Sequence, residues 1–316
     1  MSPRKRSPGP TRFSRILVDI DALAGEHPAL DQAVDLAARS KGRVTVVDVV
    51  EDVPDLARAY VSDRLEEDIV ASRRRALDAV AARYRRRKVR MAGRVLRGAP
   101  ATSVVRHAIA TRADLVVRSH GRDLVARRRT FGSVDMQLLR KCPCPVWVVG
   151  VGERSSPKRI LAAIHPDPDD AVEQALNHRI LDAARALADL QKGTLTVLTA
   201  WAPYGEPLLR SHMSPRELRE FVAAARAAAR ETLDDFLEEH GPLGRRAKVE
   251  FAKGEPDEVI PRFARRHDID LVVMGTVARK GLAGLLMGNT AEHMLQKLQC
   301  SVFALKPAGF KSPVEA

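Results

Sequence analysis

The residue types most suited to chemistry lie in the segment His165-Pro-Asp-Pro-Asp-Asp, where an apolar run gives way to a helical pattern. His165, Asp167 and Asp169 are close enough in sequence to hold a metal ion or to share acid–base work. An aspartate directly before a helix is also the ordinary start signal, because its carboxylate accepts hydrogen bonds from the first turn. We therefore expect Asp169 or Asp170 to cap a helix, and we assign no metal ligand and no catalytic residue.

Two of the three cysteines, Cys142 and Cys144, precede an apolar run and would lie on the same face of a strand. A redox pair is one interpretation. Two small core or edge residues are the favoured one, because cysteine is commonly buried and a second copy of this segment has only Cys300 at the same place. Paired CxxC spacing is missing, so neither a zinc site nor a disulfide framework is indicated. Such cysteine usage suits a reducing cytoplasm.

Basic residues are concentrated in the first half of the chain. Residues 1–156 contain 31 Lys and Arg against 18 Asp and Glu, whereas residues 157–316 contain 22 of each. Six cations lie between Arg83 and Arg90, and Arg127–Arg129 add three more. Such density can attract nucleic acid by releasing counterions, without sequence preference. Only Tyr84 interleaves with these clusters, so no stacking platform for single strands is evident, and a solvated arginine face is favoured.

Several functional classes have no support in the sequence. It contains no G-x-S-x-G, no H-E-x-x-H and no P-loop, and its nine histidines show no recurring spacing. We therefore expect a protein that is not an enzyme. No apolar run approaches the roughly 18 residues that a membrane helix needs, so no membrane association is expected.

The elements that position these residues occur twice. Residues 98–117 read like residues 254–273 at an offset of 156, and the same offset relates Gly132 to Gly288. A duplicated domain explains this pattern. We expect a basic disordered tail at 1–11, a first domain at 12–152, a polar linker at Gly150–Lys158, a second domain at 157–307 and a C-terminal tail at 308–316.

Each copy alternates short β-branched runs with longer stretches of helical periodicity. The runs are Ile16–Ile20, Val44–Val50, Asp114–Val117 and Val146–Val149, then Ile160–Ile164, Thr194–Thr199, Asp270–Met274 and Val302–Leu305. Runs that are apolar throughout are typical of a parallel sheet covered on both faces. An additional alternating strand lies near Val89–Val95 and near Val249–Lys253. The fold class is therefore α/β, with two tandem doubly wound, Rossmann-like domains of about five strands each.

The sequence predicts the residue ranges of four helices. The shorter ones are Asp31–Ser40 and Pro100–Thr111; the longer ones, Asp55–Arg87 and Pro215–His240, would be crossover helices before the alternating strands. The final strand of each copy leaves an apolar edge that must be covered. We expect the two final strands to bring the copies together as a pseudo-dimer within one chain.

Several strings of residues carry a resemblance to the universal stress protein family, over nearly the whole chain. They are Val273-Met274-Gly275-Thr276-Val277-Ala278-Arg279-Lys280-Gly281, Met287-Gly288-Asn289-Thr290-Ala291-Glu292-His293, Cys300, Lys306-Pro307 and, in the first copy, Leu138–Trp147. The chain most resembles the tandem-domain branch. That resemblance implies an adenine nucleotide alpha hydrolase-like fold and a non-enzymatic role in stress response. In nucleotide-binding members a G-x2-G-x9-G-(S/T) loop and an acidic residue after the first strand hold ATP.

The resemblance carries over to both copies only in part. In the second copy the loop positions are Gly275, Thr276, Ala278, Gly288, Asn289 and Thr290, with His165 at the acidic position. In the first copy Asp21, Gly132 and Ser133 fit, but Ser119 and Arg122 replace the early glycines. Asp135 would also cap the helix that a phosphate needs.

We therefore expect that ATP or AMP, if bound at all, binds weakly and in the second domain. The alternative is an interaction scaffold with degenerate pockets, which binds nucleic acid non-specifically or a hydrophobic small molecule.

Overall fold

The computed structural model describes residues 13–53, 62–119, 131–150, 156–276 and 287–315. Ten strands form one sheet. They are β1 (Arg15–Asp19), β2 (Arg43–Val50), β3 (Arg90–Arg97), β4 (Leu115–Ser119), β5 (Val146–Val149), β6 (Arg159–Ile164), β7 (Thr194–Trp201), β8 (Ala247–Lys253), β9 (Leu271–Gly275) and β10 (Ser301–Leu305). The apolar runs of the sequence thus become strands, and most of their residues are buried because helices cover both faces of the sheet.

The helices alternate with the strands along the chain. They are α1 (Pro28–Ser40), α2 (Asp63–Arg83), α3 (Pro100–Ala110), α4 (Ser133–Lys141), α5 (Ala171–Gln191), α6 (Glu206–Leu209), α7 (Pro215–His240), α8 (Pro256–Arg266) and α9 (Asn289–Lys297). Among the described residues, no helix is both long and apolar enough to span a membrane.

The strand order is β3-β2-β1-β4-β5-β10-β9-β6-β7-β8. Every neighbouring pair is parallel except β5 and β10, which are antiparallel. Each half therefore has the doubly wound order 3-2-1-4-5, which confirms the predicted fold class.

The two halves join through their last strands, as predicted from the apolar edges. Val148 pairs with Val302 and Trp147 with Phe303 in the antiparallel ladder. The ring of Phe303 also lies edge-on to Phe13 at 6.0 Å between centroids. Trp147 and Phe303 are fully buried. This seam makes one continuous sheet out of the two halves, and the apolar core on each face of that sheet contains residues of both halves.

Two elements differ from the sequence-based prediction. The long helix predicted at 55–87 is shorter in its described part: α2 starts after Ser62, which accepts a hydrogen bond from the Leu65 N–H, and ends at Arg83. A short 3-10 turn, Arg85–Arg87, follows. It ends at Lys88, which takes a left-handed conformation with φ of 55°. The four-residue helix α6 has no predicted counterpart, since one turn is too short to show a helical period.

Of the two predicted tails, the structure describes only the C-terminal one. The tail at 1–11 lies outside the described residues. Residues 308–315 contain no helix or strand. They return to the first half: Val314 packs against the core, and the Arg106 side chain donates a hydrogen bond to the Glu315 carbonyl at 3.4 Å.

Candidate functional site

A cavity of about 390 Å³ opens at the carboxyl ends of β6 and β9. These strands are neighbours, and the chain winds away from them in opposite directions, which is the place where open α/β sheets bind ligands. Five residues predicted from the sequence line it: His165, Gly275, Gly288, Asn289 and Thr290. Residues far apart in the chain meet here because parallel strands all end at one edge of the sheet.

The loop after β6 is held by the helix that follows it. The Asn177 amide accepts a hydrogen bond from the His165 N–H at 3.1 Å and donates one to the His165 carbonyl at 2.8 Å. Asp170 caps α5, because its carboxylate accepts from the Val172 and Glu173 N–H groups at 2.9 and 3.0 Å. The capping interpretation is thus confirmed, at Asp170. Among the described residues, no three His, Cys, Asp or Glu side chains are placed to hold a metal ion.

Gly275 ends β9 and lets α5 approach closely. A Cβ atom at this position would lie 2.8 Å from the Leu176 side chain, so the absence of a side chain makes room for α5. The next residue, Thr276, is fully buried and does not line the cavity. Its hydroxyl lies 3.5 Å from the carbonyls of Leu139 and Leu305, at the seam between the halves.

The amino terminus of α9 also faces the cavity. Gly288 precedes the helix, and its N–H donates to the Thr276 carbonyl at 3.3 Å. No side chain caps this helix, and its third residue is Ala291. Asn289 and Thr290 are exposed at its start. Uncapped N–H groups and the positive end of the helix dipole favour a bound anion.

The cavity walls are mainly apolar, with acidic groups among them. The apolar lining residues include Val172, Leu176, Ile180, Ile260, Met274 and Met294. The charged ones are Asp170, Glu173 and Glu255, and no lysine or arginine is among the described lining residues. Such a lining suits a flat apolar group with few negative charges.

The equivalent place in the first half is occupied by three charged side chains, a cluster we call the Asp-Arg-Asp triad (Asp19, Arg118 and Asp135). Arg118 forms an ion pair with Asp19 and another with Asp135 at 2.9 Å. Asp19 and Asp135 are each almost fully buried. Asp19 on β1 pairs in register with Arg118 on β4. In the second half these positions are Ala163, Met274 and Ala291, all of which line the cavity.

The remaining first-domain candidates lie around the triad or on neighbouring elements. Asp135 accepts a hydrogen bond from the Gly132 N–H at 3.0 Å, so it caps α4 as predicted. Ser133 is the exposed first residue of that helix. Ser119 accepts from the Ala29 N–H at 3.0 Å, and Asp21 accepts from the Leu23 N–H at 3.0 Å and pairs with Arg73. Asp21 and Ser119 thus have partners inside the protein.

Burial and the attraction between opposite charges act against each other in the triad. It raises the pKa of Asp19 to about 6, although Arg118 acts in the opposite direction. Burial would lower the pKa of Arg118, but Asp19 and Asp135 outweigh it, so the net pKa is raised. The triad as a whole was not predicted from the sequence. Alignment of the two copies carries the signal, because three charged residues stand opposite Ala163, Met274 and Ala291.

Some sequence-predicted positions cannot be placed. Ala278 of the second loop, and Arg122 and Arg127–Arg129 of the first, lie outside the described residues. The other basic cluster is exposed from Arg85 to Lys88, and Arg87 pairs with Asp35 at 2.7 Å.

The exposed cluster borders a polar groove at the amino ends of the first-domain strands. Lys41, Arg43, Lys88 and Arg90 line this groove, together with an Arg15–Asp114 ion pair. The Tyr84 hydroxyl donates to Asp31 at 2.7 Å and its ring packs on the core, so it is not available for stacking on a base.

Comparison with known proteins identifies the duplicated unit. The family model described as "Universal stress protein family" matches residues 12–150 and again 157–306. Universal stress protein E of Escherichia coli K12 is 26% identical over 309 residues, covering 96% of this chain and 97% of that protein. A universal stress protein E homolog of Haemophilus influenzae is 24% identical, covering 94% of this chain and 98% of that protein.

Among solved structures, a functionally unknown protein from Pseudomonas aeruginosa PAO1 superposes with a TM-score of 0.71 and 26% identity, covering 93% of each chain. A putative universal stress protein from Pseudomonas aeruginosa UCBPP-PA14 superposes with a TM-score of 0.70 and 26% identity, covering 94% of each chain.

Proposed function

Because the chain belongs to the universal stress protein family and carries two copies of its domain in tandem, we propose that it is a non-enzymatic stress-response module whose second domain binds an adenine nucleotide. One observation carries this proposal. The cavity of the second half is open at the switch point of its strands, whereas the Asp-Arg-Asp triad fills the same place in the first half. The first domain would then serve as a structural partner.

The lining suggests how the nucleotide is held. The adenine and ribose would pack between the apolar side chains of α5 and α9, and a phosphate would accept hydrogen bonds from the start of α9 at Asn289 and Thr290. Asp170, Glu173 and Glu255 disfavour further negative charge. We therefore expect AMP to bind at least as tightly as ATP.

Binding should be weak. His165 stands at the position where an acidic residue would accept hydrogen bonds from the ribose, and an imidazole does not replace a carboxylate in this role. Loss of one charged hydrogen bond costs about 1.5 to 3 kcal/mol, or roughly ten- to a hundredfold in affinity.

Titration calorimetry with AMP and ATP tests the proposal. The informative variant is Ala291→Asp, which copies Asp135 of the first half and would place a carboxylate on the N–H groups that a phosphate needs. We expect this variant and Gly288→Val to lose binding, while the matched first-domain variant Gly132→Val retains it. Loss of binding in Gly132→Val alone would mean that the nucleotide binds in the first half and that the proposed location is wrong. Absence of a binding heat with the wild-type protein would favour a scaffold.

The basic groove favours a second candidate function, the binding of a polyanion such as nucleic acid. Lys41, Arg43, Lys88 and Arg90 point to it by charge alone, and no described aromatic ring is placed to stack on a base. Binding of a fluorescent DNA duplex should fall steeply as salt rises, and Arg85, Arg86 and Arg87 changed to Glu should abolish it.

The matched control changes the same amount of charge in the second half, at Arg262, Arg265 and Arg266. Their side chains are also exposed, on α8. If both triple variants weaken binding equally, the groove is not the site.

A further inference from the structure

The thiols of Cys142 and Cys144 touch each other. Their sulfur atoms lie 3.4 Å apart, and neither is in a disulfide. Cys142 is fully buried, whereas Cys144 is partly exposed, so a small reagent has access to one member of the pair. Conversion to a disulfide would need the sulfurs to approach by little more than 1 Å, since a disulfide bond is about 2.05 Å long.

The pair occupies the junction between the two halves. Cys142 ends α4, where its N–H donates to the Leu138 carbonyl at 2.9 Å, and two residues after Cys144 the chain is part of β5, which pairs with β10. Lys306, directly after β10, is only 4% exposed. A basic group from the second half is thus buried at the same junction as the thiol pair from the first.

One basic group bears on the electrostatics of the pair. Burial lowers the pKa of Lys306 to about 8, and the Cys142 sulfur acts in the opposite direction. The ammonium group would stabilise negative charge that develops on the Cys142 sulfur as the disulfide forms. Cys144 itself ionises with difficulty, because its hydrogen bond to Cys142 and its burial raise its pKa.

We propose that Cys142 and Cys144 form a redox-active dithiol, which a hydroperoxide converts to an intramolecular disulfide at the seam between the two halves. The Cys144 sulfur attacks the O–O bond of the peroxide; an S–O bond forms, and the leaving oxygen takes the thiol proton and departs as water or an alcohol. The Cys142 sulfur then displaces the sulfenic oxygen of Cys144, which takes up the Cys142 thiol proton and leaves as a second water. Two thiols are oxidised, one peroxide is reduced, and a thiol reductant reverses the change.

The second copy provides an internal control. Cys300 is equivalent to Cys144, but Leu298 stands at the position of Cys142. The same local fold therefore carries a single cysteine there, and oxidation of Cys300 cannot produce this disulfide.

The test uses the full-length protein and hydrogen peroxide. After oxidation, the remaining thiols are alkylated in denaturant and the protein is digested with trypsin, which leaves both cysteines in peptide 142–154. We expect this peptide to be unalkylated and lighter by two hydrogen atoms, and to recover on treatment with dithiothreitol. Cys300→Ser should behave like the wild type, and Cys142→Ser and Cys144→Ser should not form the product.

A second measurement does not depend on the cysteine variants folding normally. Lys306→Met should slow disulfide formation by several-fold, and Lys306→Arg should restore much of the rate. Sulfinic or sulfonic acid on Cys144 with Cys142 still alkylatable would overturn the proposal. Dimers linked through Cys300, or an unchanged rate in Lys306→Met, would also count against it.

Discussion

At the level of single residues, the two halves differ most at three positions beneath the ends of their central strands. The Asp-Arg-Asp triad carries two carboxylates and one guanidinium in the first half, and its equivalents in the second half are apolar. Removing one member of a buried ion cluster leaves an uncompensated charge, whereas replacing all members with apolar groups is often neutral or stabilising. We therefore expect the three charges to act as a unit in the stability of the first half.

The triad leads to a prediction about stability. Arg118→Met alone should lower the free energy of unfolding by about 3 to 5 kcal/mol, because Asp19 and Asp135 lose their shared partner. The triple change Asp19→Ala, Arg118→Met and Asp135→Ala, which copies the second half, should cost much less. Urea unfolding of both variants measures the difference. Equal losses would show that the charges do not act as a unit.

The raised pKa of Asp19 predicts a pH dependence. Its pKa in the folded protein, about 6, lies above the ordinary 3.8. Between these values the folded protein binds more protons than the unfolded chain, so this group makes the free energy of unfolding fall as pH rises through that window. Above about pH 6 its contribution is constant. Subtracting the unfolding curve of Asp19→Asn from that of the wild type should isolate the fall; a difference that rises with pH would contradict it.

At the level of secondary structure, the same tight turn follows the first helix of each half. Lys41 and Lys192 end α1 and α5 with φ of 57° and 53°, and a glycine follows each. A Cβ atom on Gly42 would lie 2.3 Å from the Phe13 carbonyl oxygen, and one on Gly193 would lie 2.4 Å from that of Lys158. The turn can therefore pass under the start of the neighbouring strand only without a side chain.

Substitution of either glycine tests this explanation. Gly42→Ala and Gly193→Ala should each lower the free energy of unfolding by about 1 to 3 kcal/mol, because backbone atoms must move apart. Gly25→Ala is the matched control, since no atom lies within 4 Å of its Cβ position. Thermal or urea unfolding provides the measurement. If Gly25→Ala lowers the free energy of unfolding as much as the other two variants do, steric overlap of the Cβ atom is not the cause of their loss.

For the whole molecule, the antiparallel pairing of β5 and β10 turns two sheets of five strands into one of ten. Each half alone would expose a strand edge and the large apolar side chains behind it, including Trp147 or Phe303. Exposed apolar edges pair with other chains. Tandem duplication thus supplies within one chain the contact that a separate half would seek from a second copy.

Expression of residues 1–152 alone should therefore produce oligomers or aggregates rather than a monomer. The uncovered β5 edge would pair with another copy, since β10 is no longer present. Light scattering coupled to size-exclusion chromatography measures the mass in solution, with the full chain as the reference. A stable monomeric half would contradict the proposed role of the seam.

Local and periodic properties of the sequence were sufficient to predict the duplication and the order of strands and helices. The offset between Gly132 and Gly288 revealed the duplication, and the apolar runs indicated buried parallel strands. The aspartates at 169 and 170 predicted the start of α5, which Asp170 caps. These signals depend on the residue's own type and on its near neighbours, because capping, burial of a strand and a tight turn are short-range requirements. The sequence by itself therefore determined the two doubly wound halves, and the resemblance to the family indicated five of the residues that line the second cavity.

Only the tertiary structure decided which cavity stays open and what surrounds the thiols. Asp19 and Arg118 are 99 residues apart in the chain, and Asp135 lies 17 residues beyond Arg118. Lys306, in the other half of the molecule, is buried near the seam where Cys142 lies. Whether two charges neutralise each other, or a lysine faces a thiol, depends on strand register and on how the halves join, and neither is encoded in local spacing.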